Sequence, residues 1–314
     1  MRAAGLIRWL PLALILPVVI WLWWGGGMTQ IEAWAAAGQR DAQNALARTL
    51  RALRTGEPGA LAGLMGVAFL YGLFHAAGPG HGKLLIGGYG MGRPVAATRL
   101  AGLALLSSLA QSATAVLLVL AGIGLLGWTR DRVTGLADTT LTAISYLAIA
   151  GVGAWLALRG LRALTRSRAA HAPHHHHDHD HHHDHAHGPD CGCGHAHAPT
   201  PEDAARVHSL RDALALIGAI AVRPCTGALF LLIISWRMDI LPAGIAGTFA
   251  MGLGTASITI LAAFAAVTLR RSSLDRIGQA LPDATQAARA AALTELAFGA
   301  LICAIAVSLA LRVL

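Results

Sequence analysis

The sequence predicts an all-α, polytopic membrane protein with about seven transmembrane helices. Of its 314 residues, 55% are hydrophobic and only 13% are charged, which is about half the charged share of a soluble domain. The apolar residues gather in runs of roughly 20, the length of helix that crosses a bilayer. Most Arg residues stand between these runs, where topology signals lie. The formal charge of +8 therefore does not indicate a nucleic-acid partner.

The N-terminal segment is predicted to be a transmembrane anchor over residues 1–27, with its span at about 6–24. Basic residues precede the apolar run, so a cleaved signal peptide is the alternative. The length of the run and its Trp-rich end favour an uncleaved anchor. Residues 28–58 are predicted to form an amphipathic helix on the membrane surface, because Trp34, Leu46 and Leu50 recur at helical spacing among charged residues.

Six further spans divide between two three-helix units. The first unit covers residues 59–164 and the second covers residues 209–314. The segment between them, 165–208, is His-rich, has no apolar face and is expected to be disordered without metal. Basic stretches at 81–99, after the fourth span and after the sixth predict an N-inside, C-outside orientation, although four Arg in 28–57 argue the other way. The spans are predicted at about 59–80, 98–127, 138–161, 210–235, 240–268 and 290–313.

The two units resemble each other at an offset of 145 residues. That offset aligns Pro79 with Pro224 and Gly82 with Gly227, and it also aligns Ser-x-Thr pairs in the following spans. Because each unit has an odd number of spans, the second copy would lie upside down relative to the first. This is the inverted-repeat architecture of secondary transporters. Two unrelated Pro kinks are the alternative.

The strongest local motif is His75-Ala-Ala-Gly-Pro-Gly-His81-Gly-Lys83. A Pro flanked by Gly breaks a helix and frees backbone carbonyls, and the break lets His75 and His81 converge. Imidazole is a good ligand for Ni, Co, Zn and Cu, and a His inside a membrane indicates a function by default. The alternative is that His75 bonds a neighbouring helix and His81 lies in water.

A second motif, Arg223-Pro224-Cys225-Thr226-Gly227, interrupts another apolar run. Arg223 needs a carboxylate, carbonyls or a polar cavity at that depth. Glu295, in the last apolar run, is a candidate partner, and proton coupling or a place near the interface are its alternatives. Cys225 fits a metal ligand, a redox thiol or a plain packing residue.

Further candidate ligands are hydroxyl groups in the spans and the His-rich segment. Ser112, Ser257 and Thr259 are candidate secondary ligands, although such hydroxyls often bond only their own helix. Thirteen His between residues 171 and 197, interspersed with Asp, indicate metal binding that weakens as the His become protonated. A dispensable tract is the alternative. The predicted metal-binding residues of the segment are His174, His175, His176, His177, His179, His181, His182, His183, His185 and His187.

The first motif resembles the HAxGPGHGK signature of the bacterial nickel/cobalt efflux (NicO-type) transporters. Arg223-Pro-Cys-Thr-Gly-Ala228 and Met251-Gly-Leu-Gly-Thr-Ala256 resemble the second conserved region of that group. The resemblance covers nearly the whole chain. It implies a transporter in the cell inner membrane rather than an enzyme. Divalent metal ions and the lipid bilayer are the partners that it implies, with Ni²⁺ or Co²⁺ as cargo and no permanently bound cofactor.

We therefore predict efflux of nickel and/or cobalt, with His75 and His81 at the core of the site and Cys225 completing it. Three alternatives stay open. Nickel/cobalt uptake permeases carry His, four residues and then Asp-His, but Gly80 stands where that Asp would be. A thiol–disulfide electron carrier of related fold needs two paired membrane thiols. A metal sensor or storage protein would use the His-rich segment alone.

Overall fold

The computed structural model describes residues 25–78, 81–92, 95–169, 210–280 and 284–313, and within these ranges the chain is helical with no β-strand. Short π-helical turns at Leu120–Leu125 and Ala137–Leu141 extend one helix and join two others. The helices are α1 Gly27–Arg54, α2 Ala60–Ala77, α3 His81–Gly92, α4 Ala97–Val119, α5 Arg130–Leu136, α6 Thr142–Ala169, α7 Leu210–Ala221, α8 Thr226–Arg237, α9 Leu241–Ala280 and α10 Ala284–Ala310.

Five helical stretches of the described chain are long and apolar enough to cross a membrane. The pair α7 and α8, bent by 60° at their junction, makes a sixth if it counts as one span. The protein is thus a multi-pass helical membrane protein. The predicted first span, at 6–24, lies outside the described residues. The five stretches are Ala60–Ala77, Ala97–Leu125, Arg130–Thr165, Leu241–Ser273 and Ala288–Ala310.

Helices α4 and α9 connect two apolar clusters. Leu100 of α4 and Val267 of α9 belong to the first cluster, which also contains residues of α3, α6, α7 and α10. Val119 of α4 and Met251 of α9 belong to the second cluster, with residues of α1, α2, α5 and α8. The two helices run antiparallel, because the Ser112 hydroxyl donates to the Thr248 carbonyl oxygen over 3.0 Å while Ser108, one turn earlier, lies beside Gly252, one turn later. The α4–α9 pair therefore links the two clusters, since each helix contributes residues to both.

Backbones approach most closely between α2 and α9. A methyl group on Gly72 would overlap the carbonyl of Met251, and one on Gly254 would overlap the carbonyl of Phe69. The two helices run parallel, since Met65 and Ala68 lie beside Gly247 one turn earlier. Small residues at helix interfaces allow this approach in membranes, where association depends on close van der Waals packing.

A second close contact joins α6 and α10. Gly153 lies against the backbone of Cys303, and Gly160 lies against that of Leu296. The residue numbers rise along α6 as they fall along α10, so these helices are antiparallel.

Two boundary predictions were wrong. The basic stretch at 81–99 was expected to be a loop, but residues 81–92 form α3, which buries Leu85 and Ile86 completely. Five Gly in this stretch indicate a loop by local propensity, and packing against α9 and α10 overrides it. Helix α6 extends to Ala169, five residues into the predicted His-rich segment. The rest of that segment lies outside the described residues.

Helix α1 occupies the region predicted as an amphipathic surface helix. Leu46 and Leu50 of its apolar stripe are fully buried, whereas Trp34 is 60% exposed. It packs antiparallel along α2, with Thr49 facing Gly63 and Gln39 bonded to Tyr71. Its placement on the membrane surface stays a prediction.

The contact of α2 with α9 predicts opposite effects for two Gly→Ala substitutions on α2. Gly72→Ala should lower the free energy of unfolding by about 1–3 kcal/mol, because the methyl group overlaps the Met251 carbonyl. Gly66→Ala has open space and should be neutral or stabilising by about 0.5–1 kcal/mol. Thermal unfolding of the detergent-purified protein measures both effects. Equal melting temperatures for the two variants would contradict the close approach.

Candidate metal site

The junction between α7 and α8 is a helix break whose polar groups are satisfied by neighbouring helices. The Gln111 side chain of α4 donates to the carbonyl oxygen of Arg223 over 2.6 Å. The Ser145 hydroxyl of α6 donates to the carbonyl oxygen of Ala219 over 2.6 Å. In an apolar surrounding, each unpaired carbonyl would cost several kcal/mol. The break is therefore a fixed part of the bundle.

Arg223 has a phenol as partner instead of the candidate carboxylate of Glu295. Its guanidinium donates to the Tyr146 hydroxyl over 2.8 Å and lies 5.4 Å from the centre of that ring. Glu295 pairs with Arg159 of α6 instead, with 2.9 Å between Nε and Oε1. The predicted pairing of Arg223 with Glu295 is wrong because Glu295 meets α6 through the contact of α10 with that helix.

His75 and Cys225 meet between the two halves of the chain. His75 lies in the last turn of α2, and Cys225 is the N-terminal capping residue of α8. The imidazole and the thiol are hydrogen-bonded to each other. Both side chains are partly buried rather than sealed in the core. The pair is thus two metal-binding donors, 150 residues apart in sequence, at a partly accessible position.

Tyr71 lies next to this pair, one helical turn before His75 on α2. Its ring lies parallel to that of His75, with planes 12° apart and centroids 6.1 Å apart. The Gln39 side chain of α1 donates to the Tyr71 hydroxyl over 3.1 Å, and Thr226 is also hydrogen-bonded to it. A methyl group at Gly227 would overlap the Tyr71 ring, so only Gly lets α8 come this close. Helices α1, α2 and α8 together hold the His75 ring in place.

Met251 of α9 brings a second sulfur to the pair. Its thioether sulfur lies 3.9 Å from the Cys225 sulfur. Met251 is 1% exposed, and its backbone is the part of α9 that touches Gly72. One nitrogen and two sulfur atoms from three helices therefore gather at the helix break.

The three predicted hydroxyl ligands form hydrogen bonds with backbone carbonyl oxygens of α9. Ser112 donates across to the Thr248 carbonyl oxygen. Ser257 and Thr259 donate to carbonyl oxygens of their own helix, those of Leu253 and Thr255, each over 2.9 Å. Their role as ligands stays a prediction.

The remaining predicted ligands lie beyond what the structure describes. His81 is the first residue of α3, but its side chain is not among the described ones. Pro79 and Gly80 are not described either. The His-rich segment from residue 170 to residue 209 is outside the described ranges.

Sequence reasoning missed Gln39, Tyr71 and Met251. Tyr71 stands one helical turn before His75, and this spacing places both on one face of a helix, so it was a signal that could have been used. Gln39 belongs to another helix and has no local motif, and Met251 begins the Met251–Ala256 motif, which gave no indication that its side chain is a ligand. Only tertiary packing brings them to the site.

The arrangement can bind a cation that prefers nitrogen and sulfur. Neutral imidazole, thiolate and thioether are ligands for late transition metals, whereas Mg²⁺ and Ca²⁺ require oxygen. Among the described residues, no group of three or more His, Cys, Asp or Glu is placed to hold a metal ion. A third ligand to His75 and Cys225 from the described side chains would therefore be of another type.

These features define a multi-pass helical membrane protein with a soft-donor cluster at a helix break. A family model described as a high-affinity nickel-transport protein, NicO, matches residues 61–313. The chain belongs to the NicO family and is a metal-transport protein of the membrane. A Haemophilus influenzae protein whose curated name refers to a nickel/cobalt efflux system is 27% identical over 244 residues, which cover 74% of this chain and 73% of that protein. No solved structure matches the chain.

The Gln39–Tyr71 bond can be tested by a double-mutant cycle. Tyr71→Phe should lower the free energy of unfolding by about 1–2 kcal/mol, because the hydroxyl loses its bonds to Gln39 and Thr226. Gln39→Leu should cost about 1 kcal/mol, and the double variant should cost less than the sum. Thermal unfolding of the four proteins measures this coupling. Strictly additive losses would show that the two side chains do not interact.

Proposed function

We propose that the protein exports Ni²⁺ and/or Co²⁺ from the cytoplasm across the inner membrane, and that His75 and Cys225 form the core of its transport site. The observation that carries this proposal is their proximity across the two halves of the chain: Gly227, two residues after Cys225, packs on the Tyr71 ring, which lies parallel to the His75 ring. His81, from the same motif as His75, is proposed as a further ligand.

Inverted repeats are the proposed basis of the transport cycle. Helix α3 at 81–92 and helix α8 at 226–237 have bounds that differ by 145 residues at both ends. The related helices α4 and α9 run antiparallel, and so do α6 and α10. Opposite direction of related helices is what inversion requires. Rocking of one unit against the other would then open the His75–Cys225 site to each side in turn.

Outward transport is supported by the first motif and by one relative. Gly80 stands where the uptake motif has Asp. The curated name of the Haemophilus influenzae relative refers to efflux. We further propose that the His-rich segment gathers ions on the cytoplasmic side.

The thiol–disulfide alternative needs two membrane thiols that meet. In the described structure, Cys225 packs against the second apolar cluster and Cys303 packs against the first. Neither forms a disulfide. This separation favours the metal-transport proposal.

Metal accumulation in cells separates export from uptake and tests the site. Cells expressing the wild type should contain less nickel or cobalt than cells without it. His75→Ala and Cys225→Ser should lower the efflux rate about tenfold or more, equivalent to at least about 1.4 kcal/mol. Cys303→Ser is the matched control and should export normally. Higher metal content in wild-type cells would establish uptake instead, and normal export by His75→Ala would refute the site.

Deletion of residues 171–197 tests the role of the His-rich segment. We expect transport to survive the deletion and to decline mainly at low metal concentration, because the segment collects ions and is not part of the bundle. Efflux rate against external metal load measures this. Complete loss of transport with normal protein levels would show that the segment is essential to the mechanism.

A further inference from the structure

We propose that the thioether of Met251 is a third metal ligand, and that the resulting nitrogen and sulfur donor set selects soft and borderline cations over hard ones. This inference rests on the proposed function of the His75–Cys225 site. It gives a ligand role to a residue that the sequence motifs did not single out as a ligand, and it gives the site a chemical basis for choosing its cargo.

The spacing of the two sulfur atoms suits a shared metal. A tetrahedral ion with metal–sulfur bonds of about 2.3 Å holds two sulfur ligands about 3.8 Å apart. The sulfur atoms of Cys225 and Met251 are 3.9 Å apart. An ion could therefore enter between them with little movement of either helix backbone.

The third donor, the His75 imidazole, already bonds to the Cys225 thiol. On binding, the cation takes the place of the proton between sulfur and nitrogen, and that proton is released from the thiol. Bond formation thus joins the metal to Sγ of Cys225, to a ring nitrogen of His75 and to Sδ of Met251. The metal keeps its oxidation state, and no other co-reactant is needed.

Met251 is held where it can serve this role. Its α9 backbone is fixed against Gly72 of α2, the helix that carries His75. Its side chain reaches across to Cys225 at the start of α8. Movement of α9 relative to α2 would therefore pull a ligand from the ion. Loosening of the contact between α2 and α9 would therefore release the metal ion.

The thioether is a neutral, polarisable ligand that binds soft and borderline ions and is a poor ligand for Mg²⁺, Ca²⁺ and Mn²⁺. Hard divalent ions, which are abundant in cells, would gain only one nitrogen ligand and one thiolate. The donor set accordingly predicts discrimination by ligand type, without any need for a rigid cavity of fixed size.

Co²⁺ binding to the purified full-length protein tests the proposal, because cobalt–thiolate charge transfer and visible d–d bands report ligand type and geometry. The His-rich segment binds Co²⁺ in every variant, so the signal of interest is the absorption that Cys225→Ser removes. When Co²⁺ binding is followed by this absorption, Met251→Leu should weaken the affinity about tenfold or more and change the d–d bands. Met65→Leu is the control, since Met65 lies on the same α2–α9 seam and is not a proposed ligand.

Unchanged affinity and spectrum in Met251→Leu would overturn the proposal. Equal weakening in Met65→Leu would also overturn it, because packing alone would then explain the effect. Thermal unfolding of both variants checks that they are folded. This outcome does not depend on the direction of transport. If cells show no export but Met251→Leu loses the cobalt signal, the proposed efflux is wrong and the ligand assignment stands.

Discussion

The contact between the backbones of α2 and α9 at Gly72 and Gly254 is the constraint on which the site depends. It fixes Met251 against the helix that carries Tyr71 and His75. A side chain at either Gly would push the helices apart, and Met251 would lose its 3.9 Å approach to Cys225. Close packing in a bilayer relies on such small residues because lipid supplies no hydrophobic force between helices. The close packing of α2 on α9 therefore both stabilises the fold and positions the proposed ligand Met251.

The helix break at Pro224 shows how the bundle accommodates an interruption inside an apolar region. Gln111 and Ser145, on two different helices, bond carbonyl oxygens that the break leaves without helical partners. These bonds fix the start of α8 and thus the position of Cys225. Because the partners lie on α4 and α6, the junction of α7 and α8 is held by helices from the earlier half of the chain. Any movement of this junction relative to α4 or α6 must alter these bonds.

The described cluster contains no carboxylate beside its donors, and the charged pairs lie elsewhere. Arg223 bonds Tyr146, and Glu295 pairs with Arg159. An empty site made of imidazole, thiol and thioether is neutral and has a small desolvation cost, whereas a carboxylate cage would be expensive at this depth. Such a site leaves no unpaired charge when the metal departs and the Cys225 thiol takes back the proton that it released on binding.

The sequence by itself determined the helical membrane fold and the positions of the Pro-Gly interruptions, and it named His75, His81 and Cys225 as candidate ligands, because hydrophobic run length and short motifs are local properties of a chain. The tertiary structure alone decided that residues 81–92 form a helix that buries Leu85 and Ile86, that Arg223 bonds Tyr146, and that Gln39, Tyr71 and Met251 surround the site. These depend on which helices pack together and at what depth. Packing of that kind follows from complementary surfaces across the whole chain, and no single motif encodes it.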